Sequence, residues 1–244
     1  MKPPFRVVSW NVRASMTDRV IDTLVSDDAV DLYVLSEYRV PKAGDRIAER
    51  LHDAGWIHAL RATIPEKLKG VALFSKSQLV QHRALIAKWT TNGHTLDQWL
   101  VSAHIPDANL SVIGAYVPYP DGPLKEAVWG ALIGAAKKHG EKRLIIAGDF
   151  NSAWSHEADT GTGYTWWSLD DMAKVATDLW RHSNTRPPKR DQITWEGPNG
   201  KGNRIDFAFG TRALLPALST VRHRHDVRQS KISDHSQIVI EVAA

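Results

Sequence analysis

Four short pieces of the chain join an apolar run to residues that can bind cations or move protons. They are Ser9-Trp10-Asn11-Val12, Leu35-Ser36-Glu37, Gly148-Asp149-Phe150-Asn151 and Ser233-Asp234-His235. A fifth, Arg204-Ile205-Asp206-Phe207, fits the same description. Each puts an acid, amide or imidazole at or just past the end of what reads as a buried strand. Hard oxygen and nitrogen ligands from several strand ends are what a Mg2+ or Mn2+ site with a general base requires. Asn11 and Glu37 suit a hard divalent cation. Asp149 could hold an attacking water and Asn151 could bond phosphoryl oxygens, on a turn that Gly148 lets run tight. Asp206, between Ile205 and Phe207, is a carboxylate in an apolar strand and is costly there unless paired. His235 is its natural partner, and an Asp–His bond fixes the imidazole tautomer and raises its basicity. Asp234, its neighbour, points another way and could face the metal. Taken singly, each has an ordinary alternative. Asn11 is also a turn-former, Glu37 a surface acid paired with Arg39, Asp149 an Asx-turn, and Asp206–His235 a structural pair.

The elements that must carry these residues are legible in the apolar pattern. Residues 5–12 read as a buried strand. Ser15-Met16-Thr17-Asp18 resembles a capping box before Val20, Ile21, Leu24 and Val25 at helical spacing. Residues 32–35 form a second strand leading to Glu37, and residues 45–54 a helix that ends at Gly55. Strand-like runs follow at 56–63, 71–74, 79–85, 95–105 and 110–117, with gaps too short for helical crossovers, which implies antiparallel neighbours. Residues 124–139 spell a helix, 143–147 a buried strand, and 168–182 a helix with Met172, Val175, Ala176 and Leu179 on one face. Closing strands are expected at 193–195, 205–209 and 237–242. The two halves look alike in outline, without a clear sequence repeat. This order implies an α/β (α+β) fold, a four-layer α/β/β/α sandwich of two mostly antiparallel sheets with all five motifs at one edge.

Composition bounds the function classes. The chain has 244 residues with no linker or low-complexity stretch, and reads as a single domain, 1–244. The absence of cysteine excludes disulfides, thiolate nucleophiles and Cys-ligated metals. No signal peptide is seen at the N-terminus and no run is long enough to span a membrane, so the expectation is a cytoplasmic monomer. A net charge of +4 is compatible with a polyanionic partner such as nucleic acid without identifying one.

Taken together, the five pieces resemble the endonuclease/exonuclease/phosphatase superfamily, which includes exonuclease III-like apurinic endonucleases, DNase I, neutral sphingomyelinases and inositol-polyphosphate 5-phosphatases. They occur in that family's order and span residues 5 to 242. The resemblance implies a DNase I-like fold and hydrolysis of a phosphate ester with Mg2+ or Mn2+. It implies Glu37, with Asn11 and Asp234 nearby, as metal ligands, and Asp149 acting on water. It implies Asn151 and His235 stabilising phosphoryl charge, and Asp206 positioning His235. Gly70–Ser75 looks like a family core strand. Ala115-Tyr116-Val117-Pro118 is similar to the segment where the exonuclease III-like branch carries a tyrosine near the scissile phosphate, so Tyr116 joins the candidates, with rim packing as its alternative. His104, one strand earlier, is better read as structural. Arg13 stands where apurinic endonucleases tend to carry an acid, so either the metal shell loses a ligand or Arg13 binds substrate phosphate. Further candidate substrate contacts are Trp154, Trp166 and Trp167 as stacking surfaces, with buried rim packing as the favoured alternative, and the basic stretches Arg186, Lys189, Arg190 and Arg222, Arg224, Arg228, with solvated surface as theirs. The expected partner is nucleic acid; a small-molecule or lipid phosphoester is the alternative, because one catalytic set serves both. A binding protein on this scaffold is the third class.

Overall fold

A computed structural model describes residues 3–14, 16–91, 93–159, 161 and 163–243. The first half runs β1 (Phe5–Asn11), α1 (Asp18–Ser26), β2 (Leu32–Tyr38), α2 (Ala43–Asp53), β3 (His58–Arg61), β4 (Gly70–Ser75), β5 (Val80–Gln81), β6 (Thr90–Thr91) and β7 (His94–Thr95). It continues with β8 (Leu100–Ile105), β9 (Leu110–Tyr116), α3 (Pro123–Lys138) and β10 (Leu144–Asp149). The remainder comprises α4 (Trp166–Ala173), β11 (Thr177–Asp178), α5 (Leu179–Ser183), α6 (Lys189–Gln192), β12 (Trp195–Glu196) and β13 (Gly202–Asn203). It closes with β14 (Asp206–Gly210), β15 (Leu218–Arg224), α7 (Asp226–Gln229) and β16 (Gln237–Val242).

Two six-stranded sheets result, ordered β15-β16-β1-β2-β4-β3 and β11-β14-β10-β9-β8-β5. Each holds one parallel pair, β1–β2 and β9–β10, and its other neighbours are antiparallel. Strand alternation explains why they stack. In the first sheet Val7, Val34, Val71 and Leu73 face inward and meet Val112, Ile145 and Ala147 of the second. The outward residues Val8, Trp10, Tyr33 and Leu35 pack on Val20, Ile21, Leu24, Ile47 and Leu51 of α1 and α2. Ile113, Leu144, Ile146, Phe207 and Phe209 pack on Val128, Trp129 and Leu132 of α3, and on Leu169 and Met172 of α4. Strands buried on both faces read as continuous apolar runs. The layering is the α/β/β/α sandwich expected.

The topology places the site. The parallel pairs end at one edge, delivering Asn11, Glu37, Tyr116 and Asp149 from their C-terminal ends. Their antiparallel neighbours begin at that same edge: β14 opens with Asp206, and β16 begins two residues after His235.

Several expected boundaries move. The run 79–85 is a two-residue strand followed by a 3-10 turn at Arg83–Leu85. The helix expected over 168–182 breaks. Thr177 and Asp178 pair with β14 as an edge strand, and Asp178 caps α5 through a bond from the Arg181 amide (3.2 Å). Asp178 also accepts two bonds from the buried Arg204 (both 2.6 Å), a partner helical periodicity cannot reveal. The basic stretch around Arg190 contains the short helix α6, and β15 is a strand the apolar pattern did not reveal. Ser15 of the expected capping box lies outside the described residues; α1 begins after Thr17, which makes no side-chain cap bond. Among the described residues no helix is long and apolar enough to cross a membrane.

Candidate active site

Asp149 and Asp206 stand directly opposite each other in the β10–β14 pairing. Their carboxylates and the His235 ring offer ligand atoms within 4.8 Å of one another, all three buried. His235 Nδ1 lies 2.9 and 3.1 Å from the two Asp206 oxygens. A carboxylate only accepts, so Nδ1 carries the proton and Nε2 is left for other partners. Thr194 fixes the strand beneath: its hydroxyl accepts from the Ile205 and Asp206 amides (3.1 and 3.0 Å). The imidazole is tied in from its own backbone. Ser233 Oγ accepts from the His235 amide and donates to the Asn11 carbonyl (3.1 and 2.8 Å), while Trp10 Nε1 donates to the His235 carbonyl (3.3 Å).

Asp149 is held from three sides. It accepts from Asn11 Nδ2 (2.9 Å), the Asn151 amide (2.9 Å) and Asn151 Nδ2 (3.3 Å). Gly148 permits this: a Cβ there would sit 1.8 Å from the Ala115 carbonyl oxygen. Burial, reinforced by the Asp206 charge, pushes the Asp149 carboxyl up to about 7, against the pull of His235 and of bonds from Asn151 and Asn11. Burial alone would lower the His235 pKa. The Asp206 carboxylate, through charge and hydrogen bond, outweighs it with help from Asp149 and Asp234 and raises it to about 9.

Glu37 sits in a left-handed backbone conformation (φ 56°) at the end of β2. Its carboxylate is bonded to Lys69 Nζ (2.6 Å) and lies 3.4 Å from the Tyr116 hydroxyl. Its ion-pair partner is Lys69 and not Arg39. Tyr116 is buried against Trp99, and burial, with the Glu37 and Asp149 charges, raises its pKa. Asp234 makes contacts of its own. One oxygen accepts from Trp195 Nε1 (3.3 Å); the other is buried, has no hydrogen-bond partner, and lies 3.7 Å from Arg13 Nε. Asn11 is committed to Asp149 through its amide nitrogen and to the Arg13 amide through its oxygen (2.8 Å). Glu37, Asp149, Asn151, Asp234 and His235 open onto one cleft of about 710 Å³, walled by Tyr119, Tyr164 and Trp195. No lysine or arginine lines it among the described residues.

The outlying candidates divide. Arg186, Lys189 and Arg190 are exposed. Lys189 pairs with Asp159 (3.3 Å), which accepts from the Gly202 amide beside the cleft hairpin. Trp166 and Trp167 are half-exposed at the start of α4, close to Tyr164. Trp154 is taken up internally, bonded to Asp170 (2.7 Å) and packed on Phe207. Arg222, Arg224 and Arg228 are consumed by Glu241, Asp27 and Glu196. His104 lies in β8 against Ser111, at the opposite end of its sheet. Arg204 is wholly buried on Glu157 and Asp178 beneath the site. Sequence reasoning missed Thr194, Lys69, Lys125 and the tyrosines Tyr119 and Tyr164. Only Lys125 carried a signal, a cation in a first helical turn where the macrodipole opposes it.

Residues 8–235 match the family model described as Endonuclease/Exonuclease/phosphatase family. Among solved structures, the fold is similar to an AP endonuclease from Archaeoglobus fulgidus (17% identity, 98% of this chain and 100% of that one, TM-score 0.80). It is also similar to a 3′ phosphatase from Neisseria bound to product DNA hairpin (21% identity, 98% and 100%, TM-score 0.77). A third is an AP endonuclease from Leishmania major (12% identity, 99% and 88%, TM-score 0.74). Identities this low speak for the fold alone. Among curated proteins none matches the chain.

Proposed function

The chain belongs to the endonuclease/exonuclease/phosphatase family and is a metal-dependent phosphoester hydrolase; from that premise we propose that it is a nuclease, hydrolysing phosphodiester bonds in DNA or RNA. The observation that carries the substrate class is the cleft itself. It sets the Asp149–Asp206–His235 cluster beneath aromatic walls, and of its four carboxylates Glu37 and Asp121 are paired with Lys69 and Lys125 while Asp234 stands 3.7 Å from Arg13. The walls suit a phosphodiester flanked by planar groups that can lie against tyrosine and tryptophan. The exposed Lys189, tied to Asp159 beside the 195–203 hairpin, and its exposed neighbours Arg186 and Arg190 suit the neighbouring phosphates, and the structurally similar 3′ phosphatase from Neisseria is described as bound to product DNA hairpin.

The donor set fits Mg2+ or Mn2+. Glu37 and Asp234 would hold the ion, since Asp234 keeps a buried anionic oxygen without a hydrogen-bond partner. Once bound, the ion neutralises phosphate charge. Asp149, ionised above about pH 7, orients or deprotonates the attacking water. His235, held charged by Asp206, donates from Nε2 to a phosphoryl oxygen and stabilises the charge that builds there. Asn151 holds Asp149 in place through its backbone amide and Nδ2, and could turn the latter from Asp149 to a phosphoryl oxygen, while Tyr116 orders Glu37. All of this works as one domain.

Purified protein with Mg2+ or Mn2+, assayed on plasmid, single-stranded DNA, abasic duplex, RNA, sphingomyelin and inositol phosphates, tests the reading. Chelator-sensitive cleavage of a polynucleotide is expected. Hydrolysis of lipid or inositol substrates with every polynucleotide left intact would overturn it.

A further inference from the structure

Lys125 is 1% exposed, in the first turn of α3. Burial penalises an ammonium and the helix macrodipole repels it there, so the position needs compensating partners. Two are present. Nζ donates to Asp121 Oδ1 (2.7 Å) and to the backbone carbonyl of Asn151. Asp121 Oδ1 also accepts from the Thr165 hydroxyl, and the Tyr164 ring lies 5.6 Å from Nζ. One buried charge thus joins three separate chain segments around the cleft: the β9–α3 loop at Asp121, the turn at Asn151, and the Tyr164-Thr165 approach to α4.

The turn it grips has a special backbone. Asn151 is left-handed (φ 44°), a conformation that asparagine adopts more readily than most residues and that aims its side chain back along the turn. From it the Asn151 amide and Nδ2 reach Asp149, and Nδ2 also reaches the Val117 carbonyl (2.9 Å). We propose that Lys125 is a positioning residue: its ammonium, anchored by Asp121, holds the Asn151 carbonyl and so sets the Asn151 side chain and the Asp149 carboxylate in register for the reaction. The proposal rests on the roles given above to Asp149 and Asn151.

Lys125→Met keeps the stem and its apolar bulk and removes the charge. Its expected effects are a kcat lowered on the order of 10–100-fold with KM changed little, and displaced side-chain amide resonances of Asn151 in the nitrogen-15 spectrum of the substrate-free protein. Lys125→Arg should keep those resonances near their parental positions and recover most of kcat. Parental kcat and unmoved Asn151 signals in a folded Lys125→Met protein overturn the proposal. If that variant does not fold, Asp121→Asn serves, because that side chain is 45% exposed; unmoved Asn151 signals there likewise overturn it. Displaced signals in a protein that cuts no polynucleotide would sink the substrate reading and leave the clamp standing.

Discussion

At the scale of the residue, the arrangement turns on two groups whose pKa values are both raised. Asp206 makes His235 a cation at neutral pH, which fits a donor to phosphate better than a base and leaves proton abstraction to Asp149. Replacing Asp206 by Asn removes the charge and should lower the His235 pKa from about 9, read by titrating the imidazole resonances in chelator. An unmoved titration would show that Asp206 is not what holds the proton. Asp149→Ala and His235→Ala should each lower kcat by on the order of 10²–10⁴-fold while leaving the thermal unfolding transition cooperative. Near-parental, metal-dependent turnover in either would reassign the roles.

At the scale of the element, the site depends on turns and pairings rather than on side chains alone. The β10 terminus bends where Gly148 presses on β9, so Gly148→Ala should destabilise by about 2 kcal/mol or more and lower kcat together with the melting midpoint. The ion cluster under β14 is equally demanding. Arg204 lies between Glu157 and Asp178 with no side-chain exposure; Arg204→Met would leave the buried Glu157 carboxylate to Arg181 alone and take from Asp178 its two guanidinium bonds. A loss of about 3–5 kcal/mol in denaturant unfolding is expected; a loss below 1 kcal/mol would show that the cluster is dispensable.

At the scale of the whole molecule, two sheets of matching topology, each with one parallel pair, bring residues from nearly the full length of the chain to one edge, and the charges gathered there tie stability to pH. Both raised groups bind protons more tightly folded than unfolded. Asp149 therefore contributes stability that is present below its ordinary value near 3.8 and lost as pH rises through about 7. His235 contributes stability present below 6.5 and lost as pH rises through about 9. In chelator the melting midpoint should fall across this range, and Asp149→Asn should flatten the limb between pH 4 and 7. An unchanged slope in that variant would mean that Asp149 titrates normally. Much of this was legible beforehand. Buried strands are continuous apolar runs, and a polar residue breaking such a run is visible without coordinates, so Asn11, Glu37, Asp149, Asp206 and His235 could be named and the layers inferred from the order of elements. Hidden were the groups whose role is a partner far along the chain: Thr194 under Asp206, Lys69 on Glu37, Lys125 on Asn151, Arg204 on Asp178, and the break in the 168–182 helix that this last pair imposes. The sequence by itself determined the chemistry available and the elements that carry it, because residue type and local periodicity are properties of neighbours in the chain. Only the tertiary structure decided which side chains share charge and hydrogen bonds, because pairing and desolvation depend on distances across the sheets that no local pattern encodes.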